Sequence, residues 1–118
     1  MSLRFVARVG LALVSVLTAP ARPQTTRACP VIEKVEIGKN RELRVNGKPF
    51  FPIMLWLQSH ERIEDGLKSG INTFCANGGP LSKKDYLDQL ARNGLYGIVH
   101  FQDDHKEVLD HSHRLGWI

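Results

Sequence analysis

Apolar positions along this chain follow two rhythms, and the switch falls near Pro52. Before it the runs are short. Residues 31–37 are β-rich and partly alternating; Gly38, Lys39 and Asn40 interrupt them, and 42–45 resume the pattern. Asn46 and Gly47 both tolerate the positive φ of a type I′ turn, the strongest two-residue hairpin signal. Residues 48–51 return from that turn. The stretch 31–51 therefore predicts a small antiparallel β-meander, with Pro49 and Pro52 confined to strand ends or edges.

After Pro52 short apolar runs alternate with helical spacing. Ile53, Met54, Leu55, Trp56 and Leu57 form an unbroken apolar run, the pattern of a strand buried on both faces. Ser59 caps a predicted helix that reaches Lys68, with Ile63 and Leu67 on one face and Gly70 closing it. Residues 71–75 are a second apolar strand, and Ala76-Asn77-Gly78-Gly79-Pro80 after it reads as turn chemistry. Ser82 and Asp85 resemble a capping box, opening a helix whose stripe is Tyr86, Leu87, Leu90 and Ala91. Asn93 and Gly94 end that helix, and 95–101 form a third strand. Asp104, with Glu107 three residues on, is the predicted start of a third helix that turns Val108, Leu109 and Ser112 inward. Residues 115–118 then begin a fourth strand.

Gly70, Gly94 and Gly116 lie 24 and 22 residues apart, each placed where a helix end meets an apolar strand. Repeating βα units of that length specify a parallel sheet with crossovers on one side. An open doubly wound sheet and a (β/α)8 barrel both accept the pattern. The doubly wound dinucleotide fold calls for a glycine-rich loop after its first strand, where this chain has Gln58-Ser59-His60-Glu61. The expected fold class is thus α/β: a partial (β/α)8 barrel, three βα units and the start of strand four, preceded by the meander.

Composition narrows the function. The chain has 118 residues, enough for one modest domain, and 42% of them are hydrophobic. Lys and Arg total 16 against 12 Asp and Glu, but two of the basic residues, Arg4 and Arg8, sit at the N-terminus, so a nucleic-acid-binding face is not expected. No apolar run reaches the ~18–20 residues of a membrane span. Residues 1–21 read as a secretory signal peptide: Arg4 and Arg8 before an apolar stretch over 9–17, then Ala19-Pro20-Ala21 as the cleavage site. A secreted or periplasmic location follows, with 22–30 a polar lead-in and 31–118 the folded domain. Cys29 and Cys75 are placed so that no obligatory disulfide is expected. His111 and His113 are two apart, which points them to different sides of a helix; a solvated helix end, not a metal site, is expected.

The phrase from Leu43 through Asn46-Gly47-Lys48-Pro49 to Trp56 is similar to the barrel entry of retaining glycoside hydrolases of the clan holding cellulases, mannanases and β-galactosidases. Gly70-Ile71-Asn72-Thr73-Phe74 resembles that clan's second strand, and Asn93-Gly94-Leu95-Tyr96-Gly97-Ile98-Val99-His100 its third. Leu115-Gly116-Trp117 resembles the approach to strand four, before the clan's Asp/Asn-Glu-Pro motif. The resemblance covers residues 43–118 and implies a parent activity on β-linked carbohydrates, without metal or organic cofactor. Its general acid/base and its nucleophile belong to strands four and seven, beyond the positions matched, so the chain by itself is expected to be inactive.

In such a barrel the site lies just past each strand. Trp56, Gln58 and His60 follow strand one; Trp56 either stacks a sugar ring or fills the barrel rim. His100, Gln102, Asp103 and Asp104 follow strand three. His100 resembles a clan histidine that lines the sugar subsite, and a ring satisfied by a backbone carbonyl is the equal alternative. Trp56, Gln58, His100 and Asp103 are the candidate carbohydrate contacts. A non-catalytic carbohydrate-binding or assembly module is the rival function, because open sheet edges favour self-association.

Overall fold

The computed structural model describes residues 28–118; the expected signal peptide and most of the lead-in lie outside them. Strands β1 (Val35–Ile37), β2 (Leu43–Val45) and β3 (Lys48–Pro49) form the antiparallel meander in the order β1-β2-β3. Val45 pairs with Lys48 across Asn46 (φ 51°) and Gly47 (φ 76°), the two-residue turn that this dipeptide favours. Asn46 does more than turn the chain. Its Oδ1 accepts from the amides of Glu33 (2.7 Å) and Lys34 (3.1 Å), and its amide nitrogen donates to the Val31 carbonyl (2.8 Å).

The second sheet is parallel, in the order β4 (Met54–Gln58), β5 (Thr73–Asn77), β6 (Tyr96–Val99), β7 (Arg114–Trp117). A 3-10 turn (His60–Arg62) leads into α1 (Ile63–Lys68) between β4 and β5. Helix α2 (Lys83–Arg92) joins β5 to β6, and a 3-10 helix (Asp103–Val108) joins β6 to β7. All three connections pack on one face. Gly97 of β6 lies bare beneath Leu87 and Leu90 of α2, and Gly66 of α1 sits against the Phe74 ring. Phe74, Tyr86, Leu87, Leu90, Val99 and Val108 are fully enclosed there.

The opposite face carries Tyr96, Ile98 and Leu115, and the meander covers it with Val45, Leu43 and Phe50. Phe50 meets Tyr96 edge-on at 5.2 Å between ring centroids. These findings replace the expected partial (β/α)8 barrel by a small α/β domain. A three-stranded antiparallel sheet lies on one side of a four-stranded parallel sheet, and three short helical segments lie on the other. The strand order follows the βα repeat, but the face that would line a barrel interior is instead closed by the meander.

Three local expectations also change. The run at 53–57 was expected to be buried on both faces, yet β4 is the outer strand, with Met54, Trp56 and Leu57 all exposed. The third helix is 3-10, capped at Gln102 rather than Asp104, and it buries Val108 while Leu109 stays exposed. Gly70 (φ 76°) and Gly94 (φ 67°) do close α1 and α2, whereas Gly116 lies within β7.

Candidate functional site

Parallel α/β sheets present their ligand-binding crevices at the carboxyl ends of the strands, where the loops diverge. The corresponding end of β5 and β6 holds a cleft of about 180 Å³, floored by Leu81 and Val99. Its polar wall consists of Asn77, Ser82, Lys83, His100, Gln102 and Asp104. Each is placed by the elements beneath it. Asn77 ends β5, and its side chain donates to the Leu81 carbonyl (2.7 Å) and accepts from the Gly79 amide (2.9 Å), so the turn uses it fully. Ser82 caps α2, its hydroxyl accepting from the Asp85 amide at 3.1 Å. Lys83 follows at the first helical position, and its ammonium donates to Gln102 Oε1 (3.1 Å) and to the Asp104 carboxylate.

That ion pair sets the electrostatics. The Lys83 side chain is only 11% exposed, and its hydrogen bond holds the Asp104 carboxyl below the usual carboxylate range. The two charges cancel within the cleft wall. Among the described residues nothing hydrogen-bonds the His100 ring, which leaves an imidazole free at the rim. Phe101, next in sequence, is 60% exposed; its ring tilts against His105 at 4.3 Å and meets Trp117 edge-on at 5.4 Å.

The backbone on the neighbouring side of this rim is bent in a costly way. Leu57 (φ 51°) and Ala76 (φ 63°) both take left-handed conformations one residue before the ends of β4 and β5. Such a conformation costs a non-glycine residue on the order of 1–3 kcal/mol. Gly78 makes the bend sterically feasible, because the Leu57 carbonyl oxygen sits 2.1 Å from where a Cβ would be. The Tyr86 hydroxyl, buried beneath, donates to the Gln58 carbonyl (3.1 Å). His60 Nδ1 is buried just beyond, without a partner among the described residues.

Of the residues expected to contact sugar, only His100 lines the cleft. Asp103 is exposed at the start of the 3-10 helix, between two residues that do line it. Gln58 bonds back to the Trp56 carbonyl (3.0 Å), and Trp56 stands 55% exposed on the outer strand, in register with Cys75 and on the face opposite α2. Lys83, Ser82 and Phe101 were not anticipated. Ser82 was legible as a cap, but its place beside His100 depends on how β5 and β6 pair.

The histidines expected at a solvated helix end are instead engaged. His111 Nε2 lies 3.0 Å from Asp88 Oδ1. His113 is 7% exposed, with Nε2 at 3.2 Å from the Cys29 carbonyl and Nδ1 at 3.0 Å from the Ser112 hydroxyl. Among the described residues no group of three or more His, Cys, Asp or Glu is placed to hold a metal ion, and no helix is long and apolar enough to cross a membrane. Both cysteines are free thiols, pushed above their ordinary pKa by burial. No protein-family model, curated protein or solved structure matches this chain.

Proposed function

We propose that this chain binds a neutral carbohydrate in the cleft beside His100, as part of an exported glycoside hydrolase-like protein, and that it does not itself hydrolyse glycosidic bonds. The observation that carries the reading is the charge-balanced, hydrogen-bonding character of that cleft. Lys83 and Asp104 neutralise each other, so neither an anion nor a cation gains a net Coulombic reward there. The His100 ring and the Gln102 amide nitrogen offer hydrogen-bonding groups of the kind that hydroxyls need, while the Ser82 hydroxyl is held by Asp85. Phe101, next in sequence to His100, is an exposed aromatic outside the cleft lining, packed with His105 and Trp117. A cleft of about 180 Å³ is smaller than the ~300–1,000 Å³ of drug-sized pockets, which suits one terminal sugar unit.

Retaining hydrolysis requires two carboxyl groups about 5–5.5 Å apart, one of them protonated at working pH. Asp104 is the carboxylate lining the cleft among the described residues, and its ion pair with Lys83 favours the ionised form. That argues against a general acid here. The sequence resemblance over 43–118 supplies the carbohydrate class, and the pattern over 1–21 supplies export.

Chemical-shift titration of the purified chain with a panel of mono- and disaccharides tests the reading. Perturbations centred on His100, Gln102 and Phe101, lost in His100→Ala, are the expected result. A panel that leaves those resonances unmoved overturns it. Aryl β-glycosides should remain intact throughout. Mass spectrometry of protein recovered from an export-competent host should give a chain beginning at Arg22.

A further inference from the structure

Three of the five asparagines precede a glycine: Asn46, Asn77 and Asn93. Asparagine is thermolabile, most of all there, because no side chain on the next residue shields its amide nitrogen. We infer that the fold directs this reactivity to Asn93 alone, making the end of α2 a site of spontaneous conversion to aspartate or isoaspartate. The step needs only water. The Gly94 nitrogen attacks the Asn93 side-chain carbonyl carbon, forming an N–Cγ bond as the Cγ–Nδ2 bond breaks. Nδ2 leaves as ammonia, taking the proton that the Gly94 nitrogen gives up. Water then opens the cyclic imide at either of its carbonyls.

What separates the three pairs is how each side chain is held. Asn46 is half-buried and makes three hydrogen bonds to residues 31–34, so it is released only when the meander parts from the segment before it. Asn77 donates to the Leu81 carbonyl and accepts from the Gly79 amide, while Gly78 is packed against the Leu57 carbonyl. Asn93 is exposed, and its side chain makes one bond among the described residues, from Nδ2 to the Gln89 carbonyl (2.8 Å). The Gly94 amide donates to the Ala91 carbonyl (3.0 Å). Both bonds belong to the last turn of α2. Helix ends open locally at far less cost than the whole fold, so one fraying event frees the attacking nitrogen and its target together.

The product reaches further than the helix end. Gly94 is left-handed (φ 67°), its carbonyl accepts from the Cys29 amide (2.7 Å), and Ala28 lies where a Cβ on it would stand. Isoaspartate lengthens the main chain by one methylene just before this contact. Aspartate cannot donate to Gln89, and it sets a negative charge at the carbonyl end of α2. Either product loosens the tie between Cys29 and the start of β6. The inference stands apart from the carbohydrate reading, since Asn93 precedes β6 and the cleft lies past its other end.

Peptide mapping by mass spectrometry, on chain aged at mildly alkaline pH with and without concentrated urea, tests it. In the folded chain Asn93 should convert at least about tenfold faster than Asn46 or Asn77. In urea the three rates should converge. Hydrogen exchange at the Cys29 amide should quicken in the aged, folded material. Asn93→Gln, shown to be folded by far-UV circular dichroism, should keep that exchange slow over the same interval. Conversion of Asn46 or Asn77 as fast as Asn93 in the folded chain overturns the inference. So does the same ranking in urea, an Asn93 that stays intact in the folded chain while the urea sample converts, or a Cys29 amide whose exchange ageing leaves unchanged.

Discussion

His113 illustrates how one buried side chain ties distant parts of the chain together. Its Nε2–H donates to the Cys29 carbonyl, its Nδ1 accepts from Ser112, and its ring tilts against Tyr96 at 5.7 Å between centroids. This is the neutral tautomer, assigned from its partners. Desolvation favours that form and lowers the pKa below the ordinary 6.5. The sign follows directly. The unfolded chain protonates first as pH falls, so this contribution is complete above about 6.5 and is lost on acidification through the window below it. Urea midpoints measured from about pH 8 down to about pH 5 should therefore fall, and His113→Gln should flatten that part of the profile.

Two glycines make a sharper residue-scale contrast. Gly78→Ala places a Cβ 2.1 Å from the Leu57 carbonyl oxygen, which is backbone and cannot swing aside. A loss of about 1–3 kcal/mol is expected from chemical denaturation. Gly116→Ala meets nothing within 4 Å and should stay within about 0.5 kcal/mol of the parent.

Among the elements, α2 behaves as its sequence dictates. Ser82 accepts from the Asp85 amide, and Tyr86, Leu87 and Leu90 are enclosed at the spacing of one helical face. Ser82→Ala should lower stability by about 1 kcal/mol, read from the thermal midpoint, because the Asp85 amide loses its acceptor. The other elements mark where local rules stop. An unbroken apolar run is compatible with a central strand, and nothing within residues 53–57 says that β4 has a neighbour on one side only. Asp104 has the chemistry of an N-cap, but Lys83 lies 21 positions away in sequence and claims its carboxylate, so Gln102 takes the cap position. Asn72 looks like an ordinary strand-entry residue. It tethers β4, accepting from the Ile53 amide (2.8 Å) and donating to the Phe51 carbonyl (2.9 Å).

For the whole molecule the central fact is that both cores share the same strands. Val99 belongs to the helical side and Tyr96 to the meander side, three residues apart on β6. The Tyr96 hydroxyl donates to the Pro30 carbonyl (2.7 Å), and burial raises its pKa to about 12, so it stays a donor at neutral pH. Neither layer can be removed without exposing a face of β6. Unfolding should be a single transition, with far-UV circular dichroism and Trp117 fluorescence giving coincident curves in a Trp56→Phe background. Separate transitions would mean that the meander and the parallel sheet melt as independent units.

What the sequence determined by itself is everything set by contacts between residues near in the chain. The Asn46-Gly47 hairpin, the Ser82 cap, the stripe of α2, and the left-handed glycines at 70 and 94 depend on backbone preference and short spacing. The succession of parallel strands follows from the same local rhythm. Tertiary structure alone decided which face of the sheet the meander covers, which strand is left at the edge, and which charges cancel. Those outcomes join residues tens of positions apart, as in Lys83 with Asp104, Cys29 with His113, and Phe50 with Tyr96. Periodicity places a side chain on a face; only the packing of one element against another says what that face meets.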